Sequence, residues 1–460
     1  MTRTNIPDRI ELRRGLDVPL AAAPKAELDE VAEVGLVAVQ PLEAPGVKPR
    51  LLVKVGESVL RGSPVVYDKA RPELKFCSPS SGTVRGVELG PRRALLRILI
   101  EPDGRDRALV LEPMSERLLQ RAMAEQIIER LSSTGMWALL RERPFSKIPN
   151  PSVRPKAVFV NAMNTAPFQA DAMVVAQAYP EEFRAGLWAL RRLTDGPVFV
   201  CVPDRAGGVF PCPDDPTFHV VRFAGPHPAG NTSVHIHHLA PIRPGEVVWT
   251  ARAVDLPLIG AVLIRGEYPA KRIVALGGPG VREGAARHYR IRLGSPIAGL
   301  TQGRVGAGEL RIIAGDALSG TAISADAYLP MTCSSVTVLF EDRERHLLAW
   351  ANPFTRGFSW SRTFLSAWRS PRPEAMGTNR HGAVRAMIVT GLYDRFLPMN
   401  IRLDFLIRAV LAQDWEEAIA LGLLELDPED VALAAYACPS KIDLVGIVRD
   451  GLARLAAEGV

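Results

Sequence analysis

Val53-Lys54-Val55-Gly56-Glu57-Ser58-Val59-Leu60-Arg61-Gly62-Ser63-Pro64-Val65, with Ser78-Pro79-Ser80-Ser81-Gly82-Thr83-Val84 after it, decides how the chain begins to fold. Valines alternate with polar residues, and Gly56, Gly62 and Gly82 stand where an extended chain has to reverse. Alternation turns one face of each short strand inward, and glycine supplies the conformations that tight reversals require. Residues 33 to 102 read throughout as short strands punctuated by Gly and Pro, so this region is an all-β unit.

The two quoted segments resemble the flattened barrel of biotinyl and lipoyl domains, in which two glycines turn the chain and a later Ser-Gly bends it back. Such domains carry a modified lysine at a hairpin tip, and Asp68-Lys69-Ala70 sits near that place. Lys69 lies farther from the Gly82 bend than the lipoyl pattern allows, and Pro72 alters the turn. A charged lysine on a turn is ordinarily solvated, so a carrier role ranks last among the functions weighed.

From 113 to 255 helical and apolar extended segments alternate, which predicts a parallel α/β domain. Ser115 to Leu131 reads as helix, Ala157 to Val160 as a buried strand, Pro180 to Leu193 as an amphipathic helix and Pro197 to Val202 as another strand. A further strand, Phe218 to Phe223, runs into Gly225-Pro226-His227-Pro228-Ala229-Gly230-Asn231-Thr232-Ser233-Val234-His235-Ile236-His237-His238. Open α/β sheets place ligands in the loops that follow such strands. Four of the eight histidines fall in this stretch, and His219 lies just upstream. Imidazoles invite a metal reading, and an extended His235-Ile236-His237 would point two rings to one side. The stretch holds no carboxylate, the nearest cysteine is Cys212, and neither HExxH nor paired CxxC is present. The expectation is therefore a loop feeding a strand whose histidines are hydrogen-bonded or meet a partner.

Arg272 to Leu276 reads as a strand, and the glycines of 277 to 284 after it imitate a dinucleotide fingerprint. That fingerprint needs a helix to begin there, whereas His288 to Gly294 alternates like a strand, so a tight β-hairpin is expected. Residues 262 to 342 read as a small sheet with one short helix, and 401 to 459 as three helices, with 421 to 430 leading the second into the third. Cys438-Pro439 resembles the close of an iron–sulfur motif, but the nearest cysteine before it is Cys333, so no cluster can be built on it.

A chain of 460 residues, 47% hydrophobic and 23% charged, folds as several globular domains. No apolar run approaches the ~18 residues that cross a bilayer, and the first residues lack a secretory signal's apolar core. Five scattered cysteines suit a reducing compartment. The net charge of +6 is spread along the chain, which gives modest attraction to an anionic membrane surface. Without an RNP, zinc-finger or helix-turn-helix signature, nucleic-acid binding is not expected.

Taken together, Arg13-Arg14-Gly15-Leu16-Asp17-Val18-Pro19-Leu20-Ala21, the two barrel segments, 135–149 (GMWALLRERPFSKIP), 225–230 (GPHPAG) with its following HIH, 308–313 (GELRII) with 315–321 (GDALSGT), 421–433 (LGLLELDPEDVAL) and 438–441 (CPSK) carry a family pattern. In their order and over nearly the whole chain they resemble the A subunits of the bacterial sodium-translocating NADH:quinone oxidoreductases (Na⁺-NQR). That family is distantly similar to the NADH-oxidising subunit of complex I and to the C subunit of the Rnf complex. The resemblance implies a biotinyl/lipoyl-like barrel-sandwich with the N-terminal segment over 1–105 and a Rossmann-like α/β domain over 106–257. It further implies a β-grasp (SLBB-like) domain over 258–345 and a helical C-terminal region without an iron–sulfur cluster over 346–460.

For function it implies a peripheral subunit, on the cytoplasmic face of the bacterial inner membrane, of a six-subunit complex that passes electrons from NADH to ubiquinone while exporting Na⁺. FAD, FMN and the iron–sulfur centres would belong to other subunits, leaving this chain cofactor-free and not catalytic alone. Its distant relatives have a glycine loop at the flavin phosphate, because only glycine admits close approach of backbone N–H groups. At the matching place this chain reads Ser133-Thr134-Gly135-Met136-Trp137-Ala138-Leu139-Leu140, and their acidic loop is matched by Asn161-Ala162-Met163-Asn164-Thr165-Ala166-Pro167-Phe168, without a carboxylate. The expected partners are the other subunits, chiefly the membrane-embedded quinone-side one, with ubiquinone itself a further candidate. The contact candidates are His227, Pro228, His235, His237, Trp350, Phe354 and Trp360. The alternative is a free-standing NAD(P)- or flavin-dependent oxidoreductase using the α/β domain and the 277–284 glycines.

Overall fold

The structure, a computed structural model, describes residues 6–33, 35–204, 210–343, 358–365 and 372–459. Trp350 and Phe354 lie outside the described residues. The alternating valines form the expected barrel-sandwich. Val37–Val39, Leu95–Pro102, Gly82–Leu89 and Ser58–Val59 make one antiparallel sheet, and Pro49–Leu51, Pro64–Asp68 and Arg71–Cys77 make the other. At the Ser-Gly bend a Cβ on Gly82 would stand 1.9 Å from the Glu101 carbonyl oxygen, so only glycine can occupy it. Lys69 and Ala70 form the exposed tip between Pro64–Asp68 and Arg71–Cys77.

The α/β sheet runs Arg9–Glu11, Phe218–Ala224, Val198–Pro203, Val158–Asn161, Val248–Arg252, Arg141–Arg143, with every pairing parallel except the last. Both faces are covered, as parallel sheets require. Val158, Val160, Val198 and Val200 turn toward the helices Pro180–Arg192 and Leu256–Ile264, while Phe159, Phe199 and Phe223 turn toward the helix Thr232–Leu239 and the core it shares with the C-terminal helices. Two-residue periodicity thus divides one sheet between two cores.

Pro180–Arg192 and Leu256–Ile264 meet through glycine on each side. A Cβ on Gly186 would lie 2.5 Å from Leu256 O, and one on Gly260 only 1.8 Å from Glu182 O. The backbones touch because neither residue has a side chain.

The β-grasp sheet has the order Thr321–Ile323, Leu310–Ala314, Ser335–Phe340, Lys271–Gly277, Arg287–Arg292, Lys25–Glu30, with the expected short helix at Ile297–Thr301. The antiparallel pair Lys271–Gly277 and Arg287–Arg292 is the expected hairpin, but Gly277 ends the first strand and the other glycines lie in a long loop, 278–286, so the turn is not the tight one expected. The segment ahead of the barrel is shared out, Arg9–Glu11 to the α/β sheet and Lys25–Glu30 to the β-grasp sheet. Both strands are short and largely exposed, so no alternation announces them.

The C-terminal region corrects the expectation of three helices. Leu403–Ala412, Trp415–Ala420, Ala432–Ala437 and Leu444–Glu458 are four, and 421–430 breaks into short turns at Leu423–Glu425 and Pro428–Val431. Gly422 at φ +100° stops the chain before the first turn, and Pro428 starts the second. Among the described residues no helix is long and apolar enough to cross a membrane.

Gly260→Ala puts a methyl group into the Glu182 backbone, and overpacking of this kind costs about 2–3 kcal/mol. The purified variant should therefore unfold at clearly lower temperature or urea concentration than the parent. Unchanged unfolding would mean that the two helices are not in backbone contact.

Candidate functional site

Beyond the carboxyl ends of the parallel strands lies a cleft of ≈ 660 Å³, walled by the α/β sheet, the β-grasp domain and the C-terminal region. This is where open α/β sheets bind ligands. Asn161 ends the strand Val158–Asn161, and its Nδ2 donates to Gly230 O at 2.8 Å and Thr232 Oγ1 at 3.0 Å, while its Oδ1 accepts from Met163 N. Thr165 Oγ1 accepts from Gly230 N at 2.9 Å. A Cβ on Gly230 would lie 2.7 Å from that hydroxyl, so the missing side chain permits the contact. These bonds seat the start of the helix Thr232–Leu239 against the cleft.

Arg141, Arg143 and Arg252 supply the cations. Arg143, 2% exposed, donates from Nη2 to Ser233 Oγ at 2.9 Å and Glu425 O at 3.1 Å, and pairs through Nη1 with Asp427 at 3.3 Å. Arg252 Nε donates to Asp255 at 2.8 Å. Arg141 donates only to the carbonyls of Ala138 and Leu140, and no carboxylate of the described residues is within ion-pair distance. Burial, and then the nearby Arg252 charge, lower its pKa.

Opposite stand Glu43, Asp316, Asp427 and Glu429. Asp316 accepts from Leu318 N at 2.8 Å and Ser319 N at 2.9 Å. Glu43 is half-buried as a residue, but its Oε2 is occluded and has no partner, and desolvation pushes its carboxyl up to about 7. Desolvation, reinforced by Asp427 and Asp430, likewise holds Glu429 well above the usual carboxylate range. Among the described residues no group of His, Cys, Asp or Glu is arranged to hold a metal ion.

The histidines are placed differently from the extended expectation. Residues Thr232–Leu239 form a helix, because the Gly230-Asn231 turn releases the chain into a run with no further Gly or Pro. Two residues along a helix is about 200° of rotation, so His235 and His237 point apart and not together. His235 is fully buried, with its Nε2 on Ala229 O at 3.0 Å and its ring 4.3 Å from Phe223. His227, 3% exposed, meets Thr165 Oγ1 at 3.1 Å through Nδ1, and its backbone N–H donates to Asp17. Burial lowers the pKa of His227 to about 4 and that of His235 to about 3. Pro228 is buried between them. His237 sits 2.6 Å from Glu425 Oε2 and accepts from Asn400 N at 3.1 Å. Half-buried Trp360 stands edge-on to Phe396 at 5.6 Å. His237 and Trp360 thus meet the two ends of the 396–400 segment, and the other described candidates lie inside.

Three family models match: the NqrA N-terminal barrel-sandwich hybrid domain over residues 10–103, the NqrA second alpha/beta domain over 122–268, and the NQRA C-terminal domain over 273–325. The A subunit of the Na(+)-translocating NADH-quinone reductase of Yersinia pseudotuberculosis is 39% identical over 451 residues, covering 98% of this chain and all of the relative. The chain belongs to the NqrA family, the A subunits of Na(+)-translocating NADH-quinone reductases. The corresponding subunits of Serratia proteamaculans, at 39% identity, and of Pasteurella multocida, at 35%, also align over 98% of this chain and all of their own length.

Within this NqrA fold, the blocks that carried the resemblance converge. Arg141, Arg143 and Ser146 come from 135–149, Gly230 from 225–230, Asp316 and Ser319 from 315–321, and Asp427 and Glu429 from 421–433, and all line the one cleft. None of these stood out as a site residue in the sequence. Their common signal was their presence in separate family blocks, and only the fold brings the blocks together.

The lowered pKa of His235 makes the folded state disfavour its protonation. Its contribution to stability is complete above the unfolded value near 6.5 and is lost as pH falls toward about 3, by roughly 1.4 kcal/mol per pH unit. Urea unfolding of the parent and of His235→Phe across pH 7.5 to 4.5 isolates this group, since other titrating residues cancel in the difference. The parent's stability relative to the variant should decline steadily below about pH 6.5. A constant difference would mean that His235 is solvated.

Proposed function

We propose that the chain is the peripheral, cytoplasm-facing A subunit of a respiratory Na⁺-translocating NADH:quinone reductase, which couples electron transfer from NADH to ubiquinone with Na⁺ export. Near-complete alignment with relatives of that name carries this reading. The redox steps would run on FAD, FMN and iron–sulfur centres of other subunits. Support for a cofactor-free chain comes from Ser133 to Leu140. Gly135 leads into Met136 and Trp137, both buried, and Trp137 Nε1 donates to Pro149 O at 3.0 Å while its ring stands edge-on to Trp249. Two large side chains in the core occupy the place where a glycine loop would open to a phosphate.

Docking on the membrane-embedded, quinone-side subunit is assigned in this reading to the C-terminal region. Val384, Ile388 and Phe405 are large apolar side chains there that are more than half exposed, at 68%, 61% and 56%. Exposed apolar groups of this kind suit a partner surface. Direct contact with that subunit or with quinone needs accessible atoms, so of the described candidates it falls to His237 and Trp360, with His227, Pro228 and His235 supporting them from inside.

A photo-crosslinking residue at position 405 or 237 of the intact complex, purified from its membrane, should capture a membrane subunit. Capture of nothing at both positions would overturn docking by this face. His237→Ala should lower quinone reduction by about tenfold, roughly 1.4 kcal/mol of barrier, while NADH oxidation with an artificial acceptor stays unchanged. Full quinone reduction would remove the contact claim.

A further inference from the structure

Electron transfer as proposed above gives the cleft no role. Its wall holds a cation without an ion-pair partner among the described residues: Arg141 donates to carbonyl oxygens, and Asp255, Asp427 and Glu43 act on it only from a distance. The carboxylates around it are already engaged: Asp427 pairs with Arg143, and Asp316 accepts from the backbone of its own turn. Glu43 and Glu429, with raised pKa values, hold their protons more readily than ordinary carboxyls.

The start of the helix Thr232–Leu239 adds to this. Asn231, in the capping position, makes no capping bond, and its Nδ2 turns away to Asp430 Oδ1 at 3.0 Å. The N–H of Thr232, the first helical residue and one that lines the cleft, has no partner among the described residues. Open N–H groups at a helix start favour anions.

One further atom independently indicates a ligand. Arg143 Nε is a buried donor of a cleft residue with no hydrogen-bond partner among the described residues. Buried donors are nearly always paired, so this one asks for an external acceptor.

The wall also favours one class of ligand over others. No aromatic side chain and no histidine is among the described lining residues, and the rest are largely amides and hydroxyls such as Asn164, Gln169, Thr250 and Ser334. A flavin, nicotinamide or quinone ring has no aromatic side chain to stack on, and only Val254, Ala314, Ile323, Pro330 and Cys333 offer it apolar contact. A hydroxyl-rich body has many donors and acceptors to meet.

We propose that this cleft binds a small, non-aromatic, phosphate-bearing anion, with the phosphate held by Arg141 and the start of the helix Thr232–Leu239. The site is separate from electron transfer and gives this chain a ligand of its own. It goes beyond the place in the pump proposed above and survives if that placement fails, because it rests on the cleft alone.

Calorimetric titration of the purified full chain with ribose 5-phosphate, orthophosphate and ribose tests this. Saturable binding of either phosphate, absent for ribose and weakened by about tenfold to a hundredfold in Arg141→Gln, is expected for loss of one charge-assisted contact. Tighter binding of ribose 5-phosphate than of orthophosphate would add the hydroxyl-rich body to the site. If Arg141→Gln does not fold, Arg141→Lys, which keeps the charge but loses the planar fork of donors, takes its place and should weaken binding several-fold. No saturable binding of either phosphate up to about 10 mM, or binding unchanged in the folded variant, would overturn the proposal.

Discussion

The architecture depends on one carboxylate. Asp255 is 1% exposed and accepts from Arg252 at 2.8 Å and from Arg272 at 3.0 Å, the latter itself only 2% exposed. Asp255 lies between the strand Val248–Arg252 and the helix Leu256–Ile264 of the α/β domain, while Arg272 belongs to the β-grasp strand Lys271–Gly277. Withdrawing such charges from water is costly, and removing one partner leaves the other buried alone at a cost of about 3–5 kcal/mol. The pair therefore fixes geometry more than it adds stability. It holds two sheets in one relation, and the walls of the cleft follow from that relation.

Other arginines join domains in the same way. Arg292, on the β-grasp sheet, donates to Pro79 O at 2.9 Å in the barrel, to Asp106 at 2.8 Å just beyond it and to Glu33 at 2.8 Å. Arg143 ties the edge of the α/β sheet to Glu425 and Asp427 of the C-terminal region. The planar guanidinium, with its five donors, suits a site where several carbonyl and carboxyl oxygens converge from different segments. The excess of basic residues thus serves in part inside the molecule, and net charge by itself is a poor guide to a partner.

Where side-chain spacing directly encodes conformation, the sequence was readable. The barrel's valines and its Gly82 bend, the buried strands near 158 and 198, and the hairpin after Leu276 follow from alternation and glycine placement. The helix at Thr232–Leu239 escaped because eight residues rich in histidine have little periodicity and adjoin a strand. The terminal strands escaped because Arg9–Glu11 and Lys25–Glu30 are stabilised by distant partners and not by their own pattern. The cleft was the least legible part. Arg141, Asn161, Asp316 and Asp427 are far apart in sequence, and nothing local in a polar residue tells a cavity wall from a solvated surface. Histidine drew attention by clustering, yet all four in its stretch point into packed or hydrogen-bonded surroundings.

The division of the α/β sheet between two cores has a consequence for the order in which the protein can be made. Val158 and Val200 find their helices within the next hundred or so residues of chain, and Phe223 meets His235 of the helix Thr232–Leu239, but the rest of the cluster that holds Phe159, Phe199 and Phe223 comes from helices beginning at Leu403. A chain emerging from the ribosome at about 5–20 residues per second would carry an incompletely covered aromatic sheet face for roughly ten seconds or more. Over that interval the half-built sheet is the species most exposed to aggregation and to chaperones. Synthesis of the last helices, more than any local folding step, ends that exposure.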